Sequence, residues 1–201
     1  MSKEKRNYWA YVLMYLFYFF SLALFSGLIS IYLMDKGYTA SQVSFVVSSS
    51  FVVSMLFQPL IGYLNDRYAL KKVNSLCLFL SALLGISFIW MKNIYLIALV
   101  YSLALALFNG TNPVIERMAT FSPFTYGHIR IWGTIGYALG SQIGGIIYRY
   151  ISPESMYICF AISLLFCLLG IYGTRDIKRN EKSKPTSKGA FKSIFLNKPF
   201  V

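Results

Sequence analysis

Six apolar stretches divide the chain, at about residues 8–34, 43–64, 73–91, 95–111, 126–150 and 156–173. Apolar residues run through each with little of the 3.6-residue striping that marks a helix lying on a soluble core, so each reads as a helix set in a membrane. A crossing takes about 20 residues at a rise of about 1.5 Å each, and all six are long enough or nearly so. Only Lys92, Asn93 and Ile94 part the third stretch from the fourth, which predicts a tight hairpin. The expected fold is all-α: a six-helix transmembrane bundle over residues 1–174, followed by a basic segment over 175–201. Within that segment, residues 175–185 read as solvated, and residues 190–196 regain an amphipathic look, suited to the membrane surface or to the approach to a seventh span.

Composition supports this reading. Of the 201 residues 57% are hydrophobic and only 13% charged, with a mean hydropathy of +0.57, whereas soluble chains are about a quarter charged. The apolar stretch after Met1 is too long for a cleavable signal, whose core is about 7–15 residues, so the first helix is expected to stay. The net charge of +12 raises nucleic acid as a partner, but the cations sit at the two ends and in loops, with no basic helix face. Flanking clusters follow the positive-inside rule and the attraction to anionic lipid heads. With the N-terminus cytoplasmic, Lys3, Lys5, Arg6, Arg67, Lys71, Lys72, Arg117, Arg130 and the eight cations from Arg175 onward lie inside, and Lys36, Lys92 and Arg149 outside, a split of 16 to 3. Both ends are therefore expected to be cytoplasmic, in a multi-pass protein of the cell membrane. Cys77, Cys159 and Cys167 lie in apolar runs without paired spacing and read as small core residues.

Two passages carry candidate chemistry. Asn109, Asn112 and Glu116 are spaced by three and four, which puts them on one helix face. Polar groups at such depth normally face a cavity or the bundle interior, although Glu116 fits the water interface equally well. In the fifth stretch Arg130, Thr134, Tyr137 and Ser141 form a polar stripe. A guanidinium with five fixed donors suits paired hydroxyls or a carboxylate, and a tyrosine ring stacks on a flat apolar face, as a sugar or nucleoside requires. The plainer reading of Arg130 is snorkelling to lipid phosphates from one turn inside the membrane. Gly136, Gly140 and Gly144 repeat every four residues on a neighbouring face and predict a packing seam. His128, the single histidine, reads as solvated. Tyr15, Phe17, Tyr18, Phe19 and Phe20 surround the first helix and read mainly as lipid contact and packing. No nucleophile–base pair, metal-ligand cluster or phosphate-cradling glycine loop is present, so no enzyme chemistry, cofactor or metal is expected.

Between the second and third stretches, residues 58–72 read Gln-Pro-Leu-Ile-Gly-Tyr-Leu-Asn-Asp-Arg-Tyr-Ala-Leu-Lys-Lys. The passage resembles the acidic-basic loop of the major facilitator superfamily: Gly62, Asp66, Arg67, Lys71 and Lys72 fit the pattern, and Ala69 stands where Gly is usual. Two further stretches, from Ile115-Glu116-Arg117 through residues 124–130 to Gly133, and Asn197-Lys198-Pro199, extend the likeness. Taken over the whole chain, it is similar to the N-terminal half of the lactose permease-like oligosaccharide/proton symporters of that superfamily. The resemblance implies a proton-coupled sugar carrier working by alternating access, with a missing six-helix C-terminal half that carries most of the proton-handling groups. It implies sugar binding by Arg130, stacking by Tyr137, and a gating latch at Asp66. Asn112 stands where the family usually has a sugar-binding glutamate, which leaves Glu116 as a substitute of longer reach. The alternatives are a nucleoside or drug transporter of the same superfamily, or a non-transporting six-helix membrane protein.

Overall fold

The computed structural model describes residues 3–175. Seven α-helices follow one another: α1 (Lys3–Ser26), α2 (Ile29–Asp35), α3 (Ala40–Arg67), α4 (Leu70–Ser87), α5 (Ile94–Thr120), α6 (Tyr126–Tyr150) and α7 (Ser155–Gly173), with a 3₁₀ turn at Phe88–Trp90. The basic segment expected over 175–201 lies, but for Arg175, outside the described residues. Residues Asn7–Asp35, Ala40–Arg67, Leu70–Trp90, Ile94–Thr120 and Ser155–Gly173 are long and apolar enough to cross a membrane. The sixth expected span, α6, has the length, about 37 Å from its 25 residues. It falls short on apolarity because polar residues interrupt it.

Local signals explain the boundaries. Thr39 and Gln42 close a capping box on α3, with the Gln42 side chain accepting from the Thr39 amide at 2.9 Å. The Asn93 side chain accepts from the amides of Tyr95 and Leu96 and starts α5 at the predicted hairpin. Three boundaries differ from expectation. The first apolar stretch breaks at Gly27–Leu28 into α1 and α2. The fourth apolar stretch, 95–111, continues as helix past Glu116, the last residue expected on its polar face, to Thr120. The polar passage at 58–72 is scarcely a loop: Asp66 and Arg67 belong to the last turn of α3, Lys71 and Lys72 to the first turn of α4, and only Tyr68 and Ala69 join them. Ala69 adopts φ −64°, which any L-residue tolerates, so the usual glycine is dispensable here.

α1 is the axis of the bundle, packed along its length against α6 on one side and α7 on the other; α4 joins α7 to α5, and α5 carries α3. Glycines make the α1 contacts close. A Cβ on Gly136 would stand 2.2 Å from the Leu16 carbonyl oxygen, one on Gly140 2.6 Å from that of Phe20, and one on Gly170 2.4 Å from the Met14 nitrogen. The glycine repeat of α6 is thus the packing seam its spacing predicts. α5 approaches α1 through rings instead: Tyr18 stacks on Phe108 at 4.4 Å and donates to the Phe108 carbonyl at 3.1 Å. Cys77 and Cys167 are buried and Cys159 half-buried, all three as free thiols.

At the α2 end, polar ties bind the helix ends together. Lys36 pairs with Glu154 at 2.6 Å, the Tyr148 hydroxyl donates to Asp35, and the Tyr38 hydroxyl donates to the Lys92 carbonyl at 2.6 Å. At the opposite end Lys71 donates to the Thr174 carbonyl at 2.6 Å, a cation at the negative end of α7.

Two predictions follow from this packing. Gly136→Ala forces the α1 and α6 backbones apart and is expected to cost about 1–3 kcal/mol, whereas Gly145→Ala, with open space around its position, is expected to be neutral or to gain up to about 1 kcal/mol of helix propensity; thermal unfolding in detergent compares them. The Lys36 ammonium holds the Glu154 carboxyl below its ordinary range, and Glu154 holds Lys36 above its own. The Glu154 contribution is therefore complete above the unfolded carboxyl value of about 4.3 and fades as pH falls through the lower folded value. The Lys36 contribution is complete below about 10.4 and fades above it. Lys36 is exposed and Glu154 half-buried at the surface, so Lys36→Met is expected to cost no more than about 1 kcal/mol at neutral pH and nothing once Glu154 is protonated; melting temperatures of the two proteins at pH 7 and at acid pH give the comparison.

Candidate functional site

α5 and α6 leave their common turn and then scarcely touch, and the gap between them, the candidate cleft, is bordered by α1, which packs along α6 and meets α5 through Tyr18 and Phe108. Helical geometry through Thr120 keeps Asn109, Asn112 and Glu116 on one face of α5, all three half-buried. Pro113 has no N–H to offer the carbonyl four residues back, so the Asn109 backbone oxygen lacks its helical donor and adds an acceptor at this level. Across the cleft, Ile129, Gly133, Gly136, Gly140 and Gly144 turn into the bundle, and Arg130, Thr134, Tyr137 and Ser141 lie on an exposed face. Tyr137 is 45% exposed. The Ser141 hydroxyl donates to the Tyr137 carbonyl at 3.0 Å, a local bond that leaves it less to offer a solute.

The two helices meet in one polar cluster. Arg130 Nη1 donates to both oxygens of Glu116, at 3.2 and 3.3 Å, and also to the Tyr126 hydroxyl. That hydroxyl in turn donates to Glu116 Oε2 at 2.6 Å. Among the described residues the guanidinium hydrogen-bonds through Nη1 alone, and the Arg130 side chain is 58% exposed against 28% for Glu116. The remaining guanidinium donors therefore stay available from the cleft. The arginine, though largely exposed, is tied back to α5 through Glu116.

Sequence reasoning missed Tyr126 as a member, although its position four residues before Arg130 places it on the same side of α6. It read the α1 rings as lipid contact and packing without separating the two. Tyr15 and Tyr18 are the packing rings, fully buried, with Tyr15 and Phe19 packed against Gly133 of α6. The Tyr15 hydroxyl lies beside Glu116 and Tyr126 without closing a hydrogen bond, and the Tyr18 hydroxyl lies beside Asn112. No sequence periodicity marks these two, because α1 is apolar all round. His128 is exposed, as expected of a solvated residue.

The acidic-basic residues form a second group, at the α3–α4 turn. Arg67 lies over the Tyr63 ring at 4.5 Å, Asn74 donates to Asn65 at 2.8 Å, and Gly62 and Lys72 are exposed. Asp66 and Lys71 both have partners. Among the described residues no group of three His, Cys, Asp or Glu side chains is placed to hold a metal ion.

Residues 11–201 match the profile of the Major Facilitator Superfamily. The chain is 30% identical to the melibiose permease of Enterobacter cloacae over 159 residues, which cover 73% of this chain and 37% of that protein. It is 26% identical to the raffinose permease of Escherichia coli over 209 aligned positions, covering 96% and 48%, and 32% identical to the sucrose permease of Escherichia coli over 167, covering 75% and 39%. The chain spans about half or less of the length of these relatives, all of them named as permeases, carriers and not enzymes. With its all-helical bundle and its profile match over nearly the whole length, the chain belongs to the major facilitator superfamily.

Proposed function

We propose that this chain is the sugar-binding N-terminal half of a proton-coupled sugar carrier of the cell membrane. The observation that carries the reading is the Arg130 guanidinium, fixed by Glu116 and Tyr126 at one end of a cleft and still open to solute. Permease names among the relatives point to a sugar as the solute. In this reading Arg130 donates to paired sugar hydroxyls, the Tyr137 ring stacks on the apolar face of the pyranose, and Asn112 and Asn109 supply neutral amide contacts. Glu116 keeps the arginine in place. A second six-helix bundle closes the far wall of the cleft, and the two bundles rock about the solute in alternating access. The α3–α4 turn, with Asp66 among Arg67, Lys71 and Lys72, serves as the cytoplasmic latch that changes partners as they rock. A proton is the coupling ion, and both chain ends of this half lie in the cytoplasm, on the side with 16 of the 19 cations.

The reading is tested by solute binding to the full-length carrier. Arg130→Ala and Arg130→Lys are each expected to weaken binding by about 10- to 100-fold, the worth of hydrogen bonds to a charged group. Binding that is unchanged in both variants removes Arg130 from the site. Tyr137→Phe keeps the ring and is expected to stay within about threefold, whereas Tyr137→Ala loses the stacking and about tenfold in affinity. Uptake of labelled mono- and disaccharides against efflux of a cationic dye separates a sugar carrier from a drug exporter.

A further inference from the structure

We infer that a groove on the outer side of the bundle, between α1, α6 and α7, binds one acyl chain of an anionic glycerophospholipid whose head sits at the N-terminal end of α1. The groove has a volume of about 640 Å³. Trp132 forms its α6 wall and follows Arg130 by two residues, about 200° around the helix. The groove therefore lies on the far side of α6 from the solute cleft, and the inference is independent of the sugar reading. The opposite wall is made by Leu169 and Tyr172 of α7, which stand 63% and 64% exposed. The floor is α1. Ala10 and Gly173 keep it low, since a Cβ on Gly173 would stand 2.8 Å from that of Ala10. Phe17, stacked on Phe166 at 5.0 Å, marks the deep end.

Depth, rings and charge together select the occupant. From Asn7 to Phe17 the floor runs about 15 Å along α1, half the roughly 30 Å hydrocarbon thickness of a bilayer. The groove is thus one leaflet deep, the reach of a single chain, and its walls lose dispersion contacts if nothing fills it. Amphipathic rings gather at its mouth. Trp9 lies 6.4 Å from Trp132, and Trp132 Nε1 donates to the Tyr8 hydroxyl at 3.1 Å. Such rings settle at the level of the headgroups. Among the described residues no charged side chain lines the groove, but α1 opens with Lys3, Glu4, Lys5 and Arg6. Lys3, Arg6, Ala10, Leu13 and Phe17 are spaced by three and four, so helical register places two of these cations on the face that forms the floor. A chain seated along Leu13 brings its head to this basic turn, where an anionic head gains more than a zwitterionic one.

The test titrates the full-length carrier, stripped of lipid in detergent, with dioleoyl phosphatidylglycerol or dioleoyl phosphatidylcholine and follows the adducts by native mass spectrometry. The first phosphatidylglycerol is expected to bind about tenfold more tightly than the first phosphatidylcholine, the worth of two basic residues beside an acidic head. Lys3→Gln, Lys5→Gln and Arg6→Gln together are expected to bring that ratio within about threefold and to leave phosphatidylcholine unchanged. Leu169→Trp fills the groove from its rim and is expected to weaken the first adduct of either lipid about tenfold, the loss of about two buried methylenes. Leu83→Trp, at a position on α4 that is 49% exposed, is expected to change neither. A benzophenone in place of the Tyr172 ring, irradiated in carrier never taken out of the membrane, is expected to cross-link to phospholipid, which keeps the inference testable where Leu169→Trp fails to accumulate. Equal affinity of the wild type for the two lipids overturns the inference, as does an equal response to Leu169→Trp and Leu83→Trp. A cross-link only to residues 190–196, or only to another part of the carrier, overturns it too.

Discussion

The backbone of α1 lies within touching distance of two other helices, α6 through Gly136 and Gly140 and α7 through Gly170. In hydrocarbon no water is released when apolar helices meet, so association depends on close van der Waals packing and on hydrogen bonds between helices. Small residues make that packing possible, and here they face α1 from both sides. The consequence reaches the site. With its backbone clamped along two faces, α1 directs Tyr15 and Tyr18 toward α5 and α6 as buried, rigid rings. Tyr18 then stacks on Phe108, and the Tyr15 hydroxyl comes to rest beside Glu116.

The half-exposed state of the Glu116–Arg130 pair matters as much as its existence. A fully buried pair is costly to open, since removing one partner strands a charge at about 3–5 kcal/mol. An exposed pair is worth about 0–1 kcal/mol and gives little orientation. This one lies between, with Glu116 the more buried member and Tyr126 bracing it. That placement suits an arginine that must be held in position and still yield donors to a passing solute. It also makes the pair weak evidence for stability, which rests on the glycine contacts and the aromatic core.

Polar ties gather at the two ends of the bundle, where water can share them. At one end α2 and its following turn tie down α6, α7 and the α4–α5 connection through Asp35, Lys36 and Tyr38. At the other, Lys71 links the α3–α4 turn to the end of α7. Between them, the few buried polar contacts are hydroxyl bonds such as Ser21 to Ser163 at 2.6 Å and Ser81 to the Ala104 carbonyl at 2.8 Å. This distribution follows from the cost of leaving polar groups unsatisfied in an apolar medium.

Much of the fold was legible in the chain alone, because membrane helices announce themselves by unbroken apolarity over a fixed length, and because cations collect at helix ends on one side. The glycine repeat of α6, the hairpin at Asn93 and the shared face of Asn109, Asn112 and Glu116 are likewise local consequences of spacing. The break at Gly27–Leu28, the near-absence of a loop between Arg67 and Leu70, and the run of α5 beyond Glu116 to Thr120 escaped notice, since each turns on how neighbouring helices support a chain that local preference leaves undecided. The site divided in the same way. Arg130 and Glu116 were visible as residue types on suitable faces, but whether they meet depends on the angle between α5 and α6, and periodicity within one helix carries no information about another. Tyr15 and Tyr18 were indistinguishable from lipid-facing rings by composition. Only the clamping of α1 between two glycine faces decided that they point inward, because which side of an all-apolar helix is buried is a property of its partners and not of its own sequence.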